Sequence, residues 1–205
     1  MLKSNQKFSN KYTTANGASR AFVNFIGLKT LWLNTGTLCN LTCKGCYIES
    51  SPTNDKLLYL SLKDVEHYIN EILINNKSCK TIGFTGGEPF MNKDIIEILE
   101  LCLVKGFDVL VLTNAMQPMQ NKINNLKKLS KFKKLKLRVS LDHFCMSEHE
   151  KIRGKKTWNK ALRGIELLIN NNFNLNIASR ILYNDEQLIR DGFAKLFKLH
   201  NFKMN

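Results

Sequence analysis

The chain predicts an α/β fold built on a parallel sheet, and three observations predict it. Short β-prone runs alternate with helical stripes five times along 205 residues. The connections are long enough for crossovers, and parallel strands require crossovers. The one long polar segment, residues 35 to 60, follows the first strand, where α/β folds place their ligands. Residues 1 to 28 read as an N-terminal extension and residues 29 to 205 as one core domain.

The elements follow in order. Residues 29 to 34 (KTLWLN) form the first strand. Ser61 opens a helix with Asp64 three positions on, a capping-box pattern, and Val65, Tyr68, Ile69, Ile72 and Leu73 share a face. Residues 80 to 84 (KTIGF) are the second strand, and Ile95, Ile98, Leu99, Cys102 and Leu103 stripe the next helix. Residues 108 to 112 (DVLVL) are a continuous apolar run, as expected of a strand covered on both faces. Ile123, Leu126 and Leu129 mark a lysine-rich helix after it, and residues 135 to 141 (LKLRVSL) are strand four. Thr157 is expected to cap a helix bearing Trp158, Ala161, Leu162, Ile165, Leu168 and Ile169. Strand five lies within residues 174 to 182, and Asp185 opens a last helix with Ile189, Phe193, Leu196 and Phe197 inward. Right-handed crossovers between these units give an open sheet or one curled towards a barrel.

Composition narrows the partners. Lysine and arginine number 31 against 17 acidic residues, a formal charge of +14, which favours anionic ligands. The lysines are spread along the whole chain and no nucleic-acid reading module accompanies them, so nucleic acid is not an expected partner. No stretch has signal-peptide or membrane-span character, so a cytoplasmic protein without membrane partners is expected.

Chemistry concentrates after the strands. Cys39, Cys43 and Cys46 stand in one loop as CxxxCxxC, followed by Tyr47. Thiolates this close suit zinc or an iron–sulfur cluster, but a structural zinc or a closed cluster wants a fourth ligand. Of the remaining cysteines, Cys79 precedes strand two at the far end of the sheet and Cys102 lies on an inward helix stripe. Cys145, after strand four, is the remaining candidate for a fourth ligand, and small buried hydrophobe is the alternative reading for all three. Thr85-Gly86-Gly87-Glu88-Pro89 follows strand two. Alone, it reads as a glycine turn stopped by proline. Thr113 and Asn114 end strand three, and Ser140 and Asp142 end strand four on what period-two alternation makes a common face. His149-Glu150-Lys151-Ile152-Arg153-Gly154 comes next, and Arg180 ends strand five beside Ser179. His67, His143 and His200 read as structural.

CxxxCxxC after a first strand, with Gly-Gly-Glu-Pro after the second, resembles the radical S-adenosylmethionine (SAM) superfamily. The resemblance covers residues 29 to 200 and implies a partial (β/α) barrel with a 4Fe-4S cluster and SAM as cofactors. Cys39, Cys43 and Cys46 would leave one iron open to SAM's amino and carboxylate groups. Reductive cleavage would then give methionine and a 5'-deoxyadenosyl radical that abstracts hydrogen from substrate. Gly86, Gly87, Glu88 and Pro89 match the segment that receives SAM's ammonium. Asn114, Ser140 and Asp142 would meet ribose or substrate, and Arg153 and Arg180 a carboxylate. The family's aromatic residue before the last cysteine, which contacts adenine, is here Gly45, with Tyr47 two positions later. Family cores have six strand–helix units and five are counted here, with residues 201 to 205 at most beginning a sixth, so a partner chain completing the barrel fits the open edge. An electron donor such as a flavodoxin or ferredoxin is implied, auxiliary clusters are not expected, and loops and terminal extensions choose the substrate.

Overall fold

The computed structural model describes residues 8–75, 78–180 and 186–202. Five strands, β1 (Thr30–Asn34), β2 (Thr81–Thr85), β3 (Asp108–Thr113), β4 (Leu135–Ser140) and β5 (Asn174–Ala178), pair in parallel in the order of the sequence. Sequential order with right-handed crossovers puts every helix on one side of the sheet, which is the topology of a barrel wall. The expected partial barrel is therefore what the residues form.

The helices are α1 (Leu62–Asn75), α2 (Ile95–Val104), α3 (Gln117–Asn121), α4 (Ile123–Leu126), α5 (Met146–Arg153), α6 (Trp158–Asn170) and α7 (Glu186–Leu199). α1 starts as its sequence predicts: Asp64 N–H donates to Ser61 Oγ at 3.2 Å and Ser61 N–H donates to Asp64 Oδ2 at 3.0 Å, a reciprocal cap. Val65, Ile69 and Ile72 are buried, whereas Tyr68 and Leu73 flank the stripe and stay partly exposed. The apolar stripe predicted for α2 is buried throughout.

One face of the sheet carries Leu33, Ile82, Phe84, Val109, Val111, Leu135, Leu137, Val139 and Leu175 against these helices, and this is the core. Among the described residues no helix packs on the other face. Strand β3 accordingly corrects the expectation of burial on both sides: Val109, Val111 and Thr113 are buried and the residues between them are not. A strand in a barrel wall has helices on its outside only.

Two further expectations change. The lysine-rich helix after β3 is broken into α3, α4 and a 3-10 turn at Lys127–Leu129. Ile123, Leu126 and Leu129 are spaced by three, the period of a 3-10 helix rather than of an α-helix. Thr157 stands at the start of α6 but its hydroxyl donates to Gly154 O at 2.7 Å, and the Glu150 carboxylate caps Trp158 N–H at 3.2 Å instead. Residues 149 to 153 form the end of helix α5. The reading of Asp185 and most of the proposed sixth strand fall outside the described residues.

Candidate functional site

Among the described residues the cysteine loop between β1 and α1 holds no helix or strand, and contacts with the segments that follow the other strands position it. Gly87 N–H donates to Gly36 O at 2.8 Å and Glu88 N–H donates to Leu38 O at 3.1 Å, so the glycine segment after β2 lies flat on the chain leading into Cys39. A Cβ on Gly87 would sit 2.0 Å from Leu38 O, and one on Gly86, whose φ is +131°, would sit 2.6 Å from Gly36 O. The glycines are required because two backbones meet here. The far end of the loop is held by α5 and the end of β5: Lys44 N–H donates to Ile152 O at 2.8 Å and Arg180 Nη1 donates to Lys44 O at 3.1 Å.

The result is one cavity at the C-terminal ends of the strands, lined by Cys39, Cys43 and Cys46 together with Tyr47, Gly86, Gly87, Glu88, Asn114, Ser140, Arg153 and Arg180. Thr85 lines it too, and its hydroxyl lies 3.1 Å from Tyr47 Oη, a contact whose only sequence sign was the position of Thr85 at a strand end. The Tyr47 ring is otherwise 78% exposed. Gly45, where an aromatic residue was expected, has φ +68°, a conformation that side chains resist.

Glu88 sits differently from a solvent-facing acid. It is fully buried, with Oε1 accepting from Thr113 Oγ1 at 2.7 Å and Phe90 N–H at 3.2 Å, and Oε2 from Asn114 N–H at 2.8 Å. Burial pushes its carboxyl up to about 6 against the pull of these donors. The side chain thus ties the end of β2 to that of β3, and the Thr113 hydroxyl is used up in the tie. Asn114 reaches back to the cysteine loop, donating from Nδ2 to Asn40 Oδ1 at 2.9 Å. Pro89 opens the 3-10 turn Pro89–Met91 beneath.

Ser140 and Asp142 part company. The strand ends at Ser140, so alternation does not carry on to Asp142, whose buried carboxylate instead pairs with Arg153 (Nε to Oδ2, 2.7 Å) and Arg180 (Nε to Oδ1, 3.4 Å). Arg153, expected to await a carboxylate, already holds one. Its side chain is 11% exposed and that of Arg180 is 39% exposed, so the second guanidinium is the more available. One acid against two cations leaves positive charge facing the cysteines.

The donor set fits an iron–sulfur cluster. Three soft thiols share a wall with no fourth cysteine nearby: Cys79 and Cys102 are buried in the core, and Cys145 is exposed at the start of α5, contrary to both readings of it. Among the described residues no three acidic, histidine or cysteine side chains converge on a single-ion site, as zinc would need. Burial pushes the Cys39 thiol up to about 12 and raises Cys43, the latter opposed by Arg153. No helix among the described residues is long and apolar enough to cross a membrane.

His149, the first residue of the segment that ends in Arg153 and Gly154, is at 0% exposure. Its Nδ1 accepts from Asp142 N–H at 3.3 Å and its ring meets Trp158 edge-on at 5.5 Å. Burial, helped by Arg153, drives its pKa from 6.5 down to about 4. The unfolded imidazole therefore takes a proton first as the pH falls. Stability is expected to be full above pH 6.5 and to drop by up to about 3 kcal/mol on acidification towards pH 4. Melting temperatures over that window should fall less steeply for His149→Asn, which keeps an acceptor but does not titrate; an unchanged slope would clear His149 of the effect.

Comparison with known proteins agrees with this geometry. A model of the Radical SAM superfamily matches residues 33–190. The chain is 29% identical over 167 residues to the antilisterial bacteriocin subtilosin biosynthesis protein AlbA of Bacillus subtilis, covering 78% of this chain and 36% of AlbA. It is 33% identical over 79 residues to the putative peptide biosynthesis protein YydG of the same organism, covering 35% of this chain and 23% of YydG. The chain thus spans well under half the length of these curated relatives. Among solved structures, anSMEcpe with bound AdoMet superposes with a TM-score of 0.64 at 20% identity, covering 87% of this chain and 48% of that one. Streptococcus suis SuiB bound to its precursor peptide SuiA superposes at 0.57 and 16% identity, again covering 87% and 48%. The chain belongs to the Radical SAM superfamily, whose cofactors are a 4Fe-4S cluster and S-adenosylmethionine.

Proposed function

We propose that this chain forms the SAM-cleaving core of an enzyme that modifies a peptide by radical chemistry. The observation that carries the enzyme reading is the clamp between the two motifs, which brings three thiols and the glycine segment into one cavity at the strand ends. The peptide class is favoured by relatives: AlbA and YydG are named for bacteriocin and peptide biosynthesis, and SuiB binds a precursor peptide.

When bound, the cluster supplies the electron for reductive cleavage of SAM. Cys39, Cys43 and Cys46 hold it. Because both oxygens of Glu88 are engaged within the protein, the backbone from Gly86 to Pro89, not the carboxylate, accepts SAM's ammonium. Tyr47 offers its exposed ring to adenine in place of the aromatic residue absent at Gly45. Asn114 and Ser140 present polar groups to ribose, and Arg180, sharing Asp142 with Arg153, offers its guanidinium to the methionine carboxylate. A small acidic electron carrier, a flavodoxin or ferredoxin, suits a chain of charge +14. The free edge of β5 suits a further strand from a partner or from more chain.

Anaerobic reconstitution with iron and sulfide, then incubation with SAM and dithionite, should release 5'-deoxyadenosine from the wild type. Cys43→Ala should release less than about one hundredth as much, a loss of roughly 3 kcal/mol or more in barrier terms. Equal release from both proteins would refute the assignment.

A further inference from the structure

The uncovered face of the sheet, which becomes the inside of the barrel wall, carries a charge that the SAM site does not use. Arg138 and Lys136 lie two apart on β4, so they share this face with Ser140. Ser140 and Leu112, the β3 residue opposite Arg138 in register, both line the cysteine cavity. Arg138 therefore stands about 7 Å down the strand from the cavity wall.

Arg138 is half-buried, yet among the described residues its side chain makes no hydrogen bond or ion pair. Its register neighbours, Leu112 and Asn176, are uncharged, and those of Lys136, Leu110 and Asn174, are too. The depression that Arg138 and Lys136 line also contains Lys133 and Lys134, and its one acid is the exposed Asp108. Arg153 and Arg180, only a few residues away in the fold, have Asp142 between them. A half-buried arginine without an ion pair is free to take an anionic ligand. Across the same face Trp32, 48% exposed on β1, supplies an apolar wall, so the face suits a ligand that is apolar on one side and anionic on the other.

We propose that Arg138, assisted by Lys136, is a substrate-specificity subsite that binds a carboxylate of the peptide. The inference rests on the peptide reading above and adds to it the residue type that is chosen. In an extended peptide, side chains two positions apart share a face and lie about 7 Å apart. A peptide residue at the cavity thus places the side chain two positions away at Arg138, and that side chain is an aspartate or glutamate. A chain-terminal carboxylate offers the same chemistry from a different source.

The test is binding to the cluster-loaded protein without SAM, read by fluorescence anisotropy with a neutral dye. Three octapeptides of alanine and serine are compared: one end-capped with a central glutamate, its glutamine counterpart, and a neutral one with a free C-terminal carboxylate. The glutamate peptide should bind about tenfold or more tighter than the glutamine peptide, as an arginine–carboxylate pair warrants. Arg138→Gln should bring that ratio close to one and Arg138→Lys should keep part of it. Because the readout is a ratio within one protein, a general loss of affinity in a poorly folded variant cancels. Lys136→Gln provides a second variant and should lower the ratio severalfold. Non-specific attraction to a chain of charge +14 would survive the loss of one charge, so an unchanged ratio in Arg138→Gln overturns the subsite, as does a wild type that favours neither the glutamate peptide nor the third peptide over the glutamine peptide. An advantage confined to the third peptide, and lost in Arg138→Gln, supports the subsite and assigns its ligand to a chain terminus. Failure to release 5'-deoxyadenosine with the ratio intact counts against the enzyme reading alone.

Discussion

Gly87→Ala is expected to cost the protein its cysteine loop. The new methyl group would fall 2.0 Å from Leu38 O and 2.5 Å from Leu38 C, both backbone atoms that no rotamer change can move aside. The two segments have to part, which breaks the bonds from Gly87 N–H to Gly36 O and from Glu88 N–H to Leu38 O. Overpacking together with two lost hydrogen bonds amounts to about 4 kcal/mol. Two measurements apply: urea denaturation of the metal-free protein, and iron bound per chain after reconstitution. Both should fall sharply. Gly106→Ala is the control, since that glycine also has positive φ (+88°) but nothing within 4 Å of a Cβ, and about 1 kcal/mol is expected there. Should Gly87→Ala load iron as the wild type does, the clamp between the motifs is not what holds the loop.

Asp142→Ala should be nearly as damaging, for an electrostatic reason. The carboxylate is buried and stands between Arg153 and Arg180, and its removal leaves a guanidinium that is 11% exposed without a counter-charge beside a second cation. Breaking a buried pair by deleting one partner costs about 3–5 kcal/mol. The penalty belongs to the stranded charge more than to a lost attraction. Asp142→Ala/Arg153→Leu, which removes that charge as well, should therefore recover a good part of the stability in the same urea experiment. If the double variant is no better than the single, Asp142 acts through something other than its arginines. The backbone of Asp142 is held independently, with Ser179 Oγ donating to Asp142 O at 2.9 Å, so the strand end should survive either substitution.

Sequence patterning reached the core with few errors where one physical rule governed. Ile95, Ile98, Leu99, Cys102 and Leu103 follow helical spacing on a helix packed along its length, and all are buried. The reading of Ile123, Leu126 and Leu129 as one helix failed because spacing by three serves a 3-10 turn equally well. Thr157 failed as a cap because Glu150, seven residues earlier in the chain, had a better-placed oxygen. Competition between local and non-local partners leaves no trace in a local window.

The chain's own residues determined the alternation of strands and helices, hence a parallel sheet with its ligands at one end, and the spacing of three cysteines that suits a cluster. These are short-range properties, written in neighbours along the chain. Only the tertiary structure decided that Gly87 is needed for contact with Leu38, that Glu88 is spent inside the protein, that Asp142 turns from the cavity to its arginines, and that Arg138 makes no ion pair among the described residues. Each depends on which groups distant in sequence meet across a fold, and that is fixed by packing and charge in three dimensions rather than by order.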